Sequence, residues 1–139
     1  MTISASLRRQ IAERADNHCE YCGLSQAGQE ARFHVDHITP VVVGGPTTPD
    51  NLALACVSCS LRKGAREEVV DPQTGKLVGL FHPRRDDWYV HFGWDGFKAI
   101  GLTSAGRATV AALQLNRPLA LAIREEETHR NRHPPPHRS

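Results

Sequence analysis

The hydrophobic and polar positions in the first half of the chain predict a helix, two strands and a second helix. The first helix begins near Ser6 and ends near Asp16, and its apolar side chains recur at helical spacing, at Leu7, Ile11 and Ala15. Residues 30–40 have an extended pattern, and the VVVGGPTTPDN stretch that follows is typical of a strand entering a loop. The later part of 52–65 returns to helical spacing. The predicted order is therefore strand, loop, strand, helix.

The second half of the chain predicts two hairpins followed by two helices. The first hairpin, VVDPQTGKLVGLF, has its turn at 71–75. In WYVHFGWDGFKAIGL, at 88–102, Asp95 and Gly96 form a favoured two-residue turn. Because side chains alternate along a strand, Tyr89 and His91 are expected on one face before this turn. The other face is expected to carry Trp88, Val90, Phe92 and Trp94. The two helices are expected after a cap at Thr103 or Ser104 and at Pro118.

Composition and charge describe a globular protein and give little indication of a partner. The 139 residues are 40% hydrophobic and 23% charged, and the formal net charge of +2 is too small to indicate nucleic acid binding. Positive residues cluster only locally, at Arg62, Lys63 and Arg66 and again at Arg84 and Arg85. The sequence has no signal-peptide pattern and no run of the ~20 apolar residues that span a bilayer. We therefore expect a cytoplasmic protein.

Four cysteines form two pairs of identical spacing. Cys19 and Cys22 form one C-x2-C, and Cys56 and Cys59 form the other. This spacing lets each turn direct two sulfurs at one tetrahedral ion, so the pairs indicate a structural zinc site. A reducing compartment also favours metal binding over disulfides. The alternatives are four unconnected core cysteines and a redox pair, although neither C-x2-C lies on a βαβ pattern.

The segment between the cysteine pairs contains an ordered set of short motifs. VDHITP at 35–40, GG at 44–45, DNLALAC at 50–56 and CSLRKG at 59–64 follow one another closely. With the flanking cysteines, this set resembles the HNH endonuclease family from about Cys19 to Gly64. The resemblance implies a ββα-metal core that hydrolyses phosphodiester bonds. The later segments HPRRDDW and GRATVAALQLNRP resemble an extension found in one bacterial branch of that family.

The resemblance implies roles for three residues. His37 matches the general base, which takes a proton from the attacking water. Asp36 matches the carboxylate that binds the catalytic ion, and Asn51 matches the asparagine that pins the loop between the strands. Because adjacent residues on a strand point to opposite sides, the resemblance also implies a bent or bulged backbone at Asp36 and His37. The alternatives without a catalytic role are a surface Asp-His pair and a helix-capping Asn51.

Ser60 departs from the family pattern, in which the residue after the last cysteine is usually a histidine or asparagine that binds the ion. Three explanations are open. The Ser60 hydroxyl binds the ion or one of its waters. Alternatively, another residue supplies the ligand: His34, which shares a strand face with Asp36, or His82 or His91 from the extension. Otherwise the catalytic site has been lost, which leaves a zinc-stabilised DNA-binding module.

The resemblance also implies ions and a partner. Besides structural zinc we expect a catalytic divalent ion, with magnesium or manganese favoured over nickel or zinc. The partner is DNA, and Arg62, Lys63 and Arg66 are candidates to bind flanking phosphates. Hydrolysis would leave 5′-phosphate and 3′-hydroxyl ends; a monomer would nick one strand, and a homodimer could cut both. A zinc-stabilised protein-interaction domain that docks through the 88–94 aromatics is a further alternative.

These observations predict an α+β protein in three segments. Residues 1–67 are expected to hold the N-terminal helix, the zinc site and the ββα-metal (HNH) core. Residues 68–123 are expected to form an extension made of a β-hairpin and two helices. Residues 124–139 end in the polar, proline-rich THRNRHPPPHRS, which predicts a disordered tail.

Overall fold

A computed structural model describes residues 3–136 of the chain, which combine helices with short antiparallel strand pairs. The helices are α1 (Ala5–Arg14), α2 (Val57–Lys63), α3 (Trp88–His91), α4 (Ser104–Ala112) and α5 (Pro118–His129). The strands are β1 (His34–His37), β2 (Leu52–Ala55), β3 (Glu68–Val70), β4 (Leu77–Gly79), β5 (Phe92–Asp95) and β6 (Lys98–Gly101). They pair as β1–β2, β3–β4 and β5–β6. The predicted α+β class is confirmed.

The first strand pair and α2 form the predicted strand, loop, strand and helix. β1 and β2 pair in antiparallel register from His34 opposite Ala55 to His37 opposite Leu52. The resemblance implied a bent or bulged backbone at Asp36 and His37; this pairing has no interruption, so no bulge is present there. All four residues of β2 are buried, because β2 pairs with β1 and packs against both α1 and α2. The stretch at Val41–Val43 forms a single 3₁₀ turn rather than a strand.

Helix α1 covers the start of β2 and confirms the first predicted helix. Ser4 caps it by accepting a hydrogen bond from the Leu7 amide at 3.1 Å. Ile11 is fully buried, as the apolar spacing requires. Arg14, at the end of the helix, donates hydrogen bonds to the carbonyl oxygens of Pro49 at 2.8 Å and Leu52 at 2.5 Å. These bonds fix α1 to the backbone that enters β2.

The aromatic stretch at 88–102 differs from the prediction in two ways. Residues Trp88–His91 form a helical turn, capped by Asp87, which accepts from the Tyr89 amide at 3.0 Å, so the strand begins only at Phe92. The two-residue loop then lies one position later than predicted, because Asp95 pairs with Lys98. Gly96 occupies the first loop position with φ of 60°, a conformation that favours glycine.

The two tryptophans are half-buried and pack toward the half of the chain that contains the cysteines. Trp88 stacks on Phe92 at 4.7 Å and on Trp94 at 4.9 Å between ring centroids. Its indole Nε1 donates to the carbonyl oxygen of Tyr21 at 2.9 Å. Phe81 packs edge-on against the Tyr21 ring at 6.4 Å. These contacts join the extension to the core, whereas a docking surface would require the tryptophans to be exposed.

The last two helices begin where the sequence predicts, and the second of them extends further than expected. Thr103 caps α4, accepting from the Gly106 amide at 3.0 Å, and Pro118 opens α5. Helix α5 continues through residues 124–129, so the expected disordered tail does not begin at 124. Arg124, only 1% exposed, and Glu127 are buried on its inner face, and polarity alone did not reveal this. Residues 137–139 of the expected tail lie outside the described residues.

One hydrophobic cluster runs through both halves of the chain. It contains residues of α1, β2, β5 and the segment before α5, represented by Ile11, Leu52, Phe92 and Leu115. Glu20, in the first cysteine turn, accepts from the Leu54 amide at 2.8 Å and pairs with Arg84 of the extension. Within 3–136, no helix is both long and apolar enough to cross a bilayer.

Candidate functional site

The four cysteines converge on one buried point. Their sulfur atoms all lie within 4.8 Å of one another, and all four residues are buried. Within each pair, the later amide donates to the earlier sulfur: Cys22 N to Cys19 Sγ at 3.5 Å, and Cys59 N to Cys56 Sγ at 3.4 Å. Four convergent sulfurs with amide donors suit a tetrahedral metal such as zinc. The predicted four-cysteine metal site is confirmed as an arrangement able to hold an ion.

Local backbone geometry directs the sulfurs inward. The first turn closes with hydrogen bonds from Cys19 N to Leu24 O at 2.8 Å and from Gly23 N to Cys19 O at 2.9 Å. Gly23 has φ of 79°, and a Cβ there would lie 3.3 Å from the Trp94 ring. Cys56 is the N-cap of α2, so the second pair spans the junction of β2 and that helix. Burial raises the pKa of the Cys19 thiol, which would need a positive ion to hold it as a thiolate.

A second polar cluster lies where β1 faces α2. His34 Nδ1 is 2.9 Å from Ser60 Oγ. One helical turn further along α2, Lys63 Nζ is 3.3 Å from Asp36 Oδ2. His34 and Asp36 are two residues apart on β1 and therefore share a face, as predicted. The structure thus places Asp36, the expected carboxylate ligand, on the same strand face as His34, one of the alternative ligands, which contacts Ser60, another of them.

Lys63 occupies a different place from the one expected of a phosphate-binding residue. Its side chain is 1% exposed, and its ammonium donates to the carbonyl oxygen of His37 at 3.0 Å. Because it is enclosed between α2 and β1, it cannot reach DNA phosphates, and the earlier prediction for this residue is corrected. Arg62 and Arg66 are exposed and remain candidates for phosphate binding.

Asp36 lies in a strongly polarised environment. Its side chain is 17% exposed, and its buried Oδ2 accepts no hydrogen bond within the described part of the chain. Burial raises the pKa of Asp36, and the charges of Lys63, His37 and His34 oppose this rise. The carboxylate therefore has unused acceptor capacity, which a cation ligand requires, and its nearest positive group is the Lys63 ammonium, 3.3 Å away.

His37 and Asn51 are both tied to the loop between β1 and β2. His37 Nε2 is 2.9 Å from Thr47 Oγ1, at the end of that loop. The Asn51 amide accepts from Thr39 N at 2.9 Å and donates to Thr39 O at 3.1 Å and Pro46 O at 2.8 Å. Asn51 thus holds the start and the end of the loop together. This is the pinning contact that the sequence resemblance implied.

The two histidines of the extension have partners of their own. His91 Nδ1 is 2.7 Å from Thr103 Oγ1, and His82 Nδ1 accepts from the amide of Arg84 at 3.2 Å. Both histidines line a cavity of about 450 Å³ that also borders Lys63. Among residues 3–136, no set of three or more His, Cys, Asp and Glu side chains converges apart from the four cysteines. This absence applies to His34 as well, and His34 is the stronger candidate for the missing ligand because it shares a strand face with Asp36.

Two arginines near the cysteine site had not been singled out from the sequence. Arg117, just before α5, donates to Cys56 Sγ at 3.7 Å, and Arg124 donates to Cys22 O at 3.1 Å. In the sequence, Arg117 is marked only by its position before Pro118, which opens the helix. Arginines at such positions are too common to indicate a contact with the cysteine site. Their proximity depends on how α5 packs, which the residue spacing does not encode.

Comparison with known protein families gives a match over the segment that contains the sequence motifs. Residues 19–66 match the HNH endonuclease family, a span that includes both cysteine pairs, the β1 cluster and α2. Neither a curated protein nor a solved structure matches the chain.

Proposed function

We propose that this protein, whose residues 19–66 form an HNH endonuclease domain, hydrolyses DNA phosphodiester bonds with a divalent ion. Members of this family are nucleases, and the match makes a nuclease or DNA-binding function the starting point. The observation that supports the finer proposal is that Asp36, paired with Lys63, and His34, paired with Ser60, share one face of β1, next to His37 in the chain. A binding module without catalysis has no need for this arrangement.

The donors at the β1–α2 face fit a hard divalent ion. A carboxylate and an imidazole are available on one strand face, and magnesium or manganese keeps several waters and needs few protein ligands. Asp36 would hold the ion together with His34. When bound, the ion would supply Lewis-acid stabilisation of negative charge on the phosphate oxygens.

Ser60 has a role in this scheme without binding the ion. Its hydroxyl lies 2.9 Å from His34 Nδ1, which leaves Nε2 of the same ring for a ligand. A hydrogen bond to the second ring nitrogen fixes the orientation and tautomer of a metal-binding histidine. We infer that His34 replaces the usual ligand on α2 and that Ser60 positions it.

His37 would act as the general base. In the tautomer in which Nε2–H donates to Thr47 Oγ1, Nδ1 carries the lone pair that accepts a proton from the attacking water. Lys63 holds the backbone on which both groups lie, because its ammonium contacts the His37 carbonyl and the Asp36 carboxylate. Asn51 and Thr47 keep the adjoining loop in place. Arg62 and Arg66 would contact phosphates on either side of the cut.

DNA binding without cleavage is the second candidate, and one observation favours it. The Lys63 ammonium lies 3.3 Å from the Asp36 carboxylate, so it competes for the negative charge that a divalent ion would need. If this ion pair persists on DNA, the protein binds DNA but does not cut it.

The test is cleavage of supercoiled plasmid by zinc-loaded protein, with a parallel gel-shift measurement of DNA binding. Wild type is compared with His37→Ala and with His129→Ala, an exposed histidine at the end of α5. Nicking by wild type and His129→Ala, reduced ~10²–10⁴-fold in His37→Ala, is expected. A gel shift without cleavage on plasmid, branched and mismatched duplexes would favour the binding module. Equal cleavage by all three proteins would exclude His37 as the base.

A further inference from the structure

We propose that Arg117 and Arg124 supply the positive charge that balances the metal-loaded cysteine site, so that metal binding and docking of α5 stabilise each other. This assigns a role to the C-terminal extension. It rests on the four-cysteine metal site and is independent of whether the protein cuts DNA.

Arg117 directs its guanidinium to a cysteine sulfur. One terminal nitrogen donates to Cys56 Sγ at 3.7 Å, and the other donates to Gln114 O at 3.2 Å. Within residues 3–136 no Asp or Glu forms an ion pair with this arginine. The sulfur is therefore its charged partner once the cysteine is a thiolate. Cys56 also lies at the N-cap of α2, where the helix end favours negative charge.

Arg124 is buried much more deeply, behind the first cysteine turn. Its guanidinium donates to four oxygen atoms: Phe97 O, Asn116 Oδ1, Cys22 O and Leu115 O, at 2.7 to 3.3 Å. It also lies over the Trp94 ring, 5.1 Å from the centroid. All these partners are neutral, and the described chain gives Arg124 no carboxylate. Most of its hydrogen-bond donors have acceptors, but its positive charge has no negatively charged partner among the described residues.

The positive charges of Arg117 and Arg124 have no carboxylate partner, and the metal-loaded cysteine site carries an excess of negative charge. Four thiolates around one divalent ion leave a net double negative charge in a buried place. Two guanidiniums at the same place bring the total to zero. A buried charge is costly unless it is paired, so each group lowers the cost of the other. Both guanidiniums belong to the region around α5, whereas the cysteines belong to the HNH domain.

This arrangement makes the coupling reciprocal. If the arginines raise metal affinity, then the metal must stabilise the docked position of α5 by the same free energy. When the ion is removed and the thiolates take up protons, half-buried Arg117 and buried Arg124 lose their counter-charge, and α5 is the element that loses most. The β3–β4 hairpin has no such contact and should respond less.

The first experiment measures zinc affinity of the full chain by competition with a chromophoric chelator. Arg117→Ala should weaken zinc binding by ~10–100-fold, as is typical for partners of metal ligands. Arg117→Lys, which keeps the charge but not the fork of donors, should recover part of the loss. The matched control is Arg130→Ala, which removes an exposed arginine paired with exposed Glu126 at the end of the same helix. Wild-type affinity in a folded Arg117→Ala protein would overturn the proposal.

The second experiment needs no variant and therefore stays informative if Arg117→Ala fails to fold. Hydrogen exchange of the wild-type chain is compared with zinc bound and after its removal by a chelator. Amides of α5 should lose far more protection than those of the β3–β4 hairpin. Unchanged protection of α5, with exchange accelerating only in the two cysteine turns, would show that the helix docks independently of the metal.

Discussion

Helix α2 contributes to two candidate metal-binding clusters that differ in burial and in ligand type. At its start, Cys56 and Cys59 belong to a closed, buried set of four sulfurs. One residue later Ser60 begins the second cluster, which is half-buried and offers a carboxylate, an imidazole and a hydroxyl. Closed four-ligand sites hold structure together, whereas catalytic sites keep positions open for water and substrate. The adjacent residues Cys59 and Ser60 thus belong to two different sites, a closed four-cysteine site and the open site that we propose to be catalytic.

The largest effect is expected from breaking the closed site. Cys59→Ser should abolish stable zinc binding and, with it, cooperative folding, because a structural metal contributes directly to the free energy of folding. A loss of even ~3 kcal/mol would lower Tm by roughly 10 °C. Zinc content and thermal unfolding measure this. The neighbouring Ser60→Ala is the control, and equal damage from both changes would mean that the two clusters are not distinct.

The second-largest effect is expected at the open site and distinguishes whether His34 or Ser60 binds the ion. His34→Ala should raise the concentration of manganese needed for half-maximal nicking, by ~10–100-fold, and leave zinc content unchanged. Ser60→Ala should produce the same change to a smaller extent, because it removes only the group that orients His34. Nicking rates across a manganese titration provide the comparison. A larger effect from Ser60→Ala would mean that the serine itself binds the ion.

The third effect concerns Lys63, which joins α2 to the open site. Lys63→Met removes the cation from the half-buried Asp36 and should lower the free energy of unfolding by about 1–3 kcal/mol, less than for a fully buried pair. Magnesium or manganese should restore part of this stability, because the ion would take the place of the ammonium. Urea unfolding with and without the ion tests this. A loss that no divalent ion reduces would indicate that Asp36 is not a metal ligand.

The smallest effect lies in the extension. Arg107 lowers the pKa of Asp71 to about 2, below the usual aspartate value of about 3.9. The ion pair therefore adds stability above pH ~4 and loses it as pH falls toward 2. Asp71→Asn should remove this part of the acid sensitivity. The urea midpoints of both proteins, measured at pH 5 and pH 3 with the same zinc concentration for both, should lie closer together at the lower pH; a constant difference would contradict the linkage.

Features that depend on residues close together in the chain could be predicted from the sequence. The cysteine turns, the β1–β2–α2 order and the shared face of His34 and Asp36 depend on spacing within a few residues, and all were foreseen. Burial of Lys63 was not, because a lysine one turn after Ser60 has the same local pattern whether it faces solvent or a carboxylate. The helical turn that begins at Trp88 is capped by Asp87. It was not predicted because the alternating aromatic residues from Trp88 onward favoured a strand.

The extension was harder to predict because its role depends on contacts far apart in the chain. Arg124 is 102 residues from Cys22, whose carbonyl it binds, and a polar residue in a polar segment gives no sign of burial. The same reasoning explains why α5 was expected to end early. Charged residues that are buried against a metal site look, in sequence, like ordinary surface residues.

The most direct measurement of the proposed activity is the rate of plasmid nicking by zinc-loaded protein as manganese is varied, for wild type and Asp36→Ala. If the β1–α2 face holds the catalytic ion, wild-type nicking rises with manganese to saturation, while Asp36→Ala keeps its zinc and fold but nicks far more slowly at every concentration. Cleavage by both proteins with the same manganese dependence would contradict the assignment of the catalytic ion to Asp36.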